Sequence, residues 1–325
     1  MKLKKKIKTE IVWPLQKVIF STNYLLNNYK EIVWLIGDGR SGTTWLASLI
    51  NYRKKYREMF EPFHPWLDER MGFFMPHLYM RENNENANLK MAAEEVFTGK
   101  YMYERVDAGN YSMLYNGLLV KDIFANLFSY WISTRYPEIK IILLIRNPFA
   151  VALSKCKKKN WLWLNDPMAL LDQKDLYDDY LQPFEDVIRK TRCENDYLLC
   201  QILIWSIVNY VPLRQFDPGK VQVVFYEDVV TNPGHEVSKI FDFIRKGQYQ
   251  RQVKLSDKVI NKPSKYAGKE SNIIKGTSPL TSWKQEMTPR QIERGMGILE
   301  KFGFDELYDD SSMPDRNVIN SIQKS

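Results

Sequence analysis

Glu31-Ile32-Val33-Trp34-Leu35-Ile36-Gly37-Asp38-Gly39-Arg40-Ser41-Gly42-Thr43-Thr44-Trp45-Leu46 is the stretch on which the fold turns. Glu31–Ile36 is apolar, β-branched and closed by a glycine, which predicts a buried strand. Gly37–Gly42 then reads as a loop, and a helix is expected from about Thr43 to Tyr52. Such a strand–loop–helix unit turns backbone N–H groups and a helix N-terminus toward an anion. Ser41, Thr43 and Thr44 add hydroxyl donors, and Arg40 adds a forked cation suited to phosphate or sulfate. An ordinary strand-to-helix turn needs neither the arginine nor three hydroxyls.

Outward from this unit, apolar runs alternate with helical patterns, as in an α/β sheet with crossover helices. Gly117–Val120 is a short strand leading into Asp122, a good N-cap, and then a helix carrying Phe124, Leu127, Phe128, Trp131 and Ile132, ended by Pro137. Ile139–Ile145 is the clearest strand, with four isoleucines and two leucines in seven residues. Asp196–Val211 reads as a buried helix, Val221–Phe225 as a strand, and Pro233 to about Arg245 as a helix. Thr288-Pro289-Arg290-Gln291 is a capping box, opening a helix that runs to about Lys301 and stops at Gly303. Glu82–Lys90 and Asn261–Pro279 read as lids or loops. The expected architecture is one α/β domain over residues 31–310, a P-loop-like central parallel sheet flanked by helices. A basic extension (1–30) precedes it, and a tail (311–325) follows.

Composition narrows the function classes. The 325 residues include 44% hydrophobic and 14% aromatic side chains, enough for a large core. Apolar runs are far shorter than the roughly 18–20 residues of a membrane span. Cys156, Cys193 and Cys200 make no disulfide framework, which fits a reducing, cytoplasmic compartment. His64, His77 and His235 show no zinc spacing, so no metal is expected. The 47 Lys and Arg exceed the 39 Asp and Glu by eight. Five of those bases are Lys2, Lys4, Lys5, Lys6 and Lys8; without them the balance is 42 against 39, and a nucleic-acid partner is not expected. The tail reads as a solvated end. Ile11, Val12, Trp13, Leu15, Val18, Ile19 and Phe20 next to it would suit either a helix packed on the domain or peripheral contact with an anionic membrane. Pro14, Gln16 and Lys17 argue against a secretory signal.

Gly37 and Gly42 have the separation of the nucleoside-triphosphate loop G-x-x-x-x-G-K-[ST], but Thr43 stands where the lysine belongs. That argues for a phosphate loop not built for ATP or GTP. A second segment, Arg146-Asn147-Pro148-Phe149-Ala150-Val151-Ala152-Leu153-Ser154, follows the strongest strand. Arg146 and Ser154 can converge if Pro148 starts a helix. Lys155, Lys157, Lys158 and Lys159 follow at once.

Together these segments resemble the sulfotransferases that use PAPS (3′-phosphoadenosine 5′-phosphosulfate) and release PAP. The resemblance spans roughly residues 31–305. It implies that Arg40, Ser41, Gly42, Thr43, Thr44 and Trp45 cradle the 5′-phosphosulfate, and that Arg146 and Ser154 hold the 3′-phosphate. Val224-Phe225-Tyr226-Glu227-Asp228 is similar to the family's Y-E-D strand end, placing Tyr226 near the adenine. Ser282-Trp283-Lys284 and Phe302-Gly303-Phe304 are similar to the C-terminal segment of bacterial and tyrosylprotein members. Arg40 in place of lysine, Lys121-Asp122 in place of a K-T-H stretch, and no R-K-G-x-x-G-x-W segment set the chain nearer the carbohydrate and tyrosylprotein branches than the cytosolic aryl enzymes.

Arg40, Lys121, Arg146 and Tyr226 each follow a predicted strand, and open parallel sheets bind ligands at that edge. Sulfuryl transfer needs cations against the transferring group and a base for the acceptor hydroxyl. Arg40 is the expected cation, backed by Thr43, Thr44 and Lys121. Glu61, 21 residues after Arg40, is the first candidate base, because carbohydrate and tyrosylprotein members carry a glutamate in a comparable region. His64 is its rival, and Asp122 reads better as a helix cap. Trp161–Leu164 and Met71–Met80 could line an acceptor pocket or belong to the core. The expected activity is sulfuryl transfer to a hydroxyl on a carbohydrate, glycolipid or small metabolite. A non-enzymatic anion-binding module for nucleic acid or membrane surface, and a P-loop kinase, are the competing readings.

Overall fold

The computed structural model describes residues 8–157, 164–249, 251–262, 278–309 and 311–323. Five strands form one parallel sheet: β1 (Glu31–Gly37), β2 (Tyr56–Phe60), β3 (Gly117–Lys121), β4 (Lys140–Ile145) and β5 (Gln222–Phe225), in the order β2-β3-β1-β4-β5. The four strands expected from sequence are present to within a residue or so. β2 was not foreseen.

Both faces of the sheet are covered, so its strands alternate between two cores rather than between core and solvent. Trp34, Ile36, Val120, Leu143 and Ile145 point into the larger cluster with the helix Tyr197–Gln215, while Val33, Leu35, Leu119, Ile142 and Leu144 point into a second one with the helix Pro233–Ile244. The Tyr197–Gln215 helix has the length and apolarity of a membrane span, yet it is almost wholly buried in the larger core. Asp196 caps it through the amides of Leu198 and Leu199. The capping box of Thr288 and Gln291 forms as expected, opening Pro289–Lys301.

Asp122 does not cap a helix. The chain after β3 passes through a turn and the short 3-10 segment Asn126–Phe128 before the helix Ser129–Arg135 begins. Its carboxylate instead accepts the Trp34 indole N–H at 2.9 Å and the Phe63 amide at 3.4 Å, fully inside the protein. A buried carboxylate needs such donors, and the indole supplied one that a helix end would otherwise have provided.

At the N-terminus, α1 (Trp13–Leu25) lies on the body of the domain. Its Phe20 is fully buried, with the Arg57 guanidinium 4.1 Å from the ring centroid. The C-terminal segment is also docked: Arg316 pairs with Asp228, and the carbonyl of Ile322 accepts from Arg214.

Candidate active site

β1 and β4 are neighbours, but the chain leaves β1 for the β2-β3 side and returns to open the β4-β5 side. The crevice at this reversal is where an open α/β sheet binds its ligand. Every strand places a candidate residue at that edge. Glu61 follows β2, Lys121 ends β3, Gly37–Gly42 follow β1, Arg146 follows β4, and Tyr226 follows β5.

The loop after β1 bends sharply into α2 (Thr43–Ile50). Gly42 is its N-cap, with φ of 97°, and a Cβ there would stand 2.6 Å from the Tyr226 ring. Glycine is therefore required twice, by conformation and by the closeness of the tyrosine. Arg40 holds φ of 73°, a left-handed conformation that costs a side chain about 1 kcal/mol or more. Tyr226 is buried under the loop. Its ring meets Trp45 at 5.5 Å, and the Arg146 guanidinium lies 4.2 Å from its centroid.

Two arginines meet over this loop. Arg146 Nη1 donates to the carbonyl of Arg40 at 3.0 Å, and Arg40 Nε donates to Ser154 Oγ at 3.0 Å. This bond joins the loop after β1 to the helix that carries Ser154, so Arg40, Arg146 and Ser154 lie together at one place on the sheet edge. Among the described residues neither guanidinium is paired with a carboxylate. Burial, and then the charge of Arg146, push Arg40 below its ordinary pKa. Gathering cations in this way is unfavourable without a counter-charge. The buried Ser41 Oγ and Arg146 Nε also lack a partner among the described residues. Unsatisfied donors, converging cations and a helix N-terminus fit a ligand with more than one anionic group. Thr43 is buried at the first turn of α2, with Thr44 beside it half-buried. Two further bonds hold the cluster: Trp45 donates its indole N–H to the carbonyl of Ile260, and Arg146 Nη2 donates to that of Pro279.

Lys155 does not join this cluster. Its ammonium is buried and contacts both carboxylate oxygens of Asp38, at 2.6 and 2.8 Å. The pair braces the loop from beneath, tying it to the helix Pro148–Lys157. Lys157 turns outward to Glu286. Lys2, Lys4–Lys6, Lys158, Lys159, Trp161–Trp163 and most of the Asn261–Pro279 loop lie outside the described residues.

On the other side of the crevice, Glu61 Oε1 lies 2.5 Å from Lys121 Nζ, both nearly excluded from solvent. Sheet register produces this contact: Phe60 pairs with Lys121, and the amide of Glu61 donates to the Lys121 carbonyl at 2.6 Å. Glu61 is also left-handed, with φ of 52°. Its carbonyl accepts the His64 amide at 3.1 Å, so the two candidate bases are adjacent. His64 Nδ1 accepts the Trp66 amide at 3.2 Å, and its ring packs 5.2 Å from Phe124. Burial lowers its pKa, opposed by Glu61 and reinforced by Lys121. Met71, Phe74, Tyr79 and Met80 are core residues, leaving Phe73 partly open. Tyr226-Glu227-Asp228 holds one further role. Glu227 accepts the Asn147 amide at 2.9 Å and the Tyr308 hydroxyl at 3.0 Å, fastening the start of the Arg146 loop.

A parallel sheet with a glycine-bearing strand–loop–helix unit at its topological switch, and a carboxylate–ammonium pair across the crevice, defines a P-loop-like α/β fold. The chain belongs to the sulfotransferase domain family, whose model matches residues 30–302. A Caenorhabditis briggsae protein named "Putative protein-tyrosine sulfotransferase" is 24% identical over 315 residues, covering 91% of this chain and 95% of that one. Among solved structures, the sulfotransferase domain from the curacin biosynthetic pathway is 16% identical with a TM-score of 0.44, covering 84% of this chain and 97% of that one. The sulfotransferase from Alicyclobacillus acidocaldarius is 13% identical with a TM-score of 0.43, covering 84% and 92%.

Proposed function

We propose that this chain moves the sulfuryl group of PAPS to an acceptor hydroxyl on a carbohydrate, glycolipid or small metabolite, with PAP as the other product. The observation that carries this reading is the meeting of Arg40 and Arg146, neither ion-paired with a carboxylate among the described residues, over a loop with unsatisfied donors. A nucleotide phosphorylated at two positions supplies the anionic groups such a cluster lacks. Arg40, Ser41, Thr43, Thr44 and the amides opening α2 would hold the 5′ end, and Arg146 with Ser154 the 3′-phosphate. Bound PAPS supplies an activated sulfur–oxygen bond.

The chain's own groups do the rest. Arg40 and the helix N-terminus face the charge that develops on the leaving oxygen. Glu61 is placed to take the acceptor's hydroxyl proton, with Lys121 orienting its carboxylate. His64 fits this task less well, because its Nδ1 already accepts a backbone amide. Thr43 at the lysine position leaves a P-loop kinase without its β/γ-phosphate contact.

Thermal melts with adenosine 3′,5′-bisphosphate, AMP and ATP test the donor. The bisphosphate is expected to raise the melting temperature well above the other two, and an equal response to all three overturns the 3′-phosphate assignment. Mass-spectrometric detection of sulfate transferred from PAPS to sugar, lipid, phenolic and tyrosyl-peptide acceptors then identifies the acceptor class.

A further inference from the structure

Away from the crevice, α1 packs Trp13, Ile19, Phe20 and Tyr24 on the domain and is apolar on its outer side as well. The side it buries carries Gln16 and Asn23 beside Phe20, while Ile11, Leu15, Val18 and Leu25 face solvent at 62–78% exposure. Their spacing of four, three and seven residues makes one outward stripe, continued by Leu26. The buried amides explain how the helix is held. Gln16 donates to the carbonyl of Asn110, and Asn23 to that of Met113 at 2.9 Å. The loop running alongside carries Tyr111, Met113 and Leu114, at 61–77% exposure. Of the twelve large apolar side chains most exposed among the described residues, eight belong to this helix, its entry turn and its end, or this loop. A concentration of this kind marks an interaction surface rather than scattered surface apolarity.

We propose that α1 and the 110–115 loop form a docking face for an anionic lipid surface, on which the helix lies in the plane of the headgroups. Charge selects this partner. Lys2, Lys4, Lys5, Lys6 and Lys8 immediately precede the stripe in sequence, and no acid occurs before Glu10. A second copy of the chain would bring the same positive charge against itself, whereas anionic headgroups neutralise it. Thirteen helical residues rise about 20 Å, short of the roughly 30 Å hydrocarbon core, so the helix lies on the bilayer rather than across it. This inference does not depend on the proposed sulfuryl transfer, since its readout is lipid binding.

The test is sedimentation of the full chain with vesicles of phosphatidylcholine, with and without phosphatidylserine. Binding is expected to the phosphatidylserine vesicles, weakened by salt. The exposed double variant Leu15→Glu/Val18→Glu should weaken it by about tenfold or more, with an unchanged melting temperature. Replacing Lys2, Lys4, Lys5 and Lys6 by Gln, which removes four positive charges, should also weaken it by about tenfold or more. No binding to either vesicle, equal binding to both, or indifference to the Leu15/Val18 substitutions overturns the proposal. So does a concentration-dependent dimer that the same double variant dissolves, which would assign the face to a second copy.

Discussion

Glu61 and Lys121 form a buried ion pair, Oε1 to Nζ 2.5 Å, at the ends of adjacent parallel strands. Neither side chain has water to solvate it, so each is the other's counter-charge, and the Phe60 ring lies 4.2 Å beneath the ammonium. The pair stands across the crevice from Arg40 and Arg146, which form no ion pair with a carboxylate among the described residues.

Glu61→Gln should lower kcat for sulfuryl transfer by about 10²–10⁴-fold, the usual contribution of a general base. Stabilisation by adenosine 3′,5′-bisphosphate should survive, since Glu61 touches none of the anion-loop donors. A fully active variant removes Glu61 as the base and turns attention to His64.

Arg40 and Arg146 should separate kinetically. Arg40→Ala is expected to abolish transfer while the protein stays folded. Arg146→Ala should mainly weaken bisphosphate binding, by roughly 10–150-fold for a lost charged hydrogen-bonding group. Calorimetric Kd values beside single-turnover rates distinguish the two effects.

Lys155→Met should destabilise by about 3–5 kcal/mol, because Asp38 would be left buried and unpaired. Adding Asp38→Asn should recover much of that loss, a coupling that denaturant melts of the two single variants and the double variant will show. A ligand-contacting lysine would instead alter nucleotide affinity and leave stability little changed.

Asp122 gives the fold a pH dependence of defined sign. Burial pushes its carboxyl up to about 7, and the Glu61 charge adds to the rise against the Trp34 hydrogen bond. From about pH 4 to 7 the folded protein therefore holds a proton that the unfolded chain releases. The stability from this group is complete below the unfolded pKa and is lost as pH rises through the folded one. Melting temperatures of wild type and Asp122→Asn across that window should show the wild type falling relative to the variant. His77, pushed down to about 3, and Glu227, pushed up to about 6, titrate in both proteins and cancel in the comparison.

Legibility in the sequence followed locality. β1, its loop and α2 could be read because apolar run, glycines and hydroxyls lie within a few residues of one another. The capping box at Thr288 was legible for the same reason. β2 was not, since Tyr56-Arg57-Glu58-Met59-Phe60 carries two charges and shows no apolar run. Arg57 belongs inside because it meets Asp107 at 2.8 Å, with both side chains fully buried, a partner 50 positions away. Glu61 is a candidate through the family resemblance, which places a glutamate in a comparable region after the loop, without the strand that positions it. α1 packs on the domain, one of the two readings its sequence allowed, but the inward turn of Gln16 and Asn23 was not legible because their partners lie 94 and 90 positions away.

The sequence by itself determined the strand–loop–helix unit, the run of arginine and hydroxyls from Arg40 to Thr44 at its turn, and an arginine at the end of the strongest strand. Only the tertiary structure decided that Ser154 hydrogen-bonds Arg40, that Lys155 pairs with Asp38, and that Glu61 closes on Lys121. The reason is physical. Backbone propensity and capping act within a turn or two, whereas these partners lie 114, 117 and 60 residues apart and meet only once the strand order β2-β3-β1-β4-β5 sets which loops share an edge.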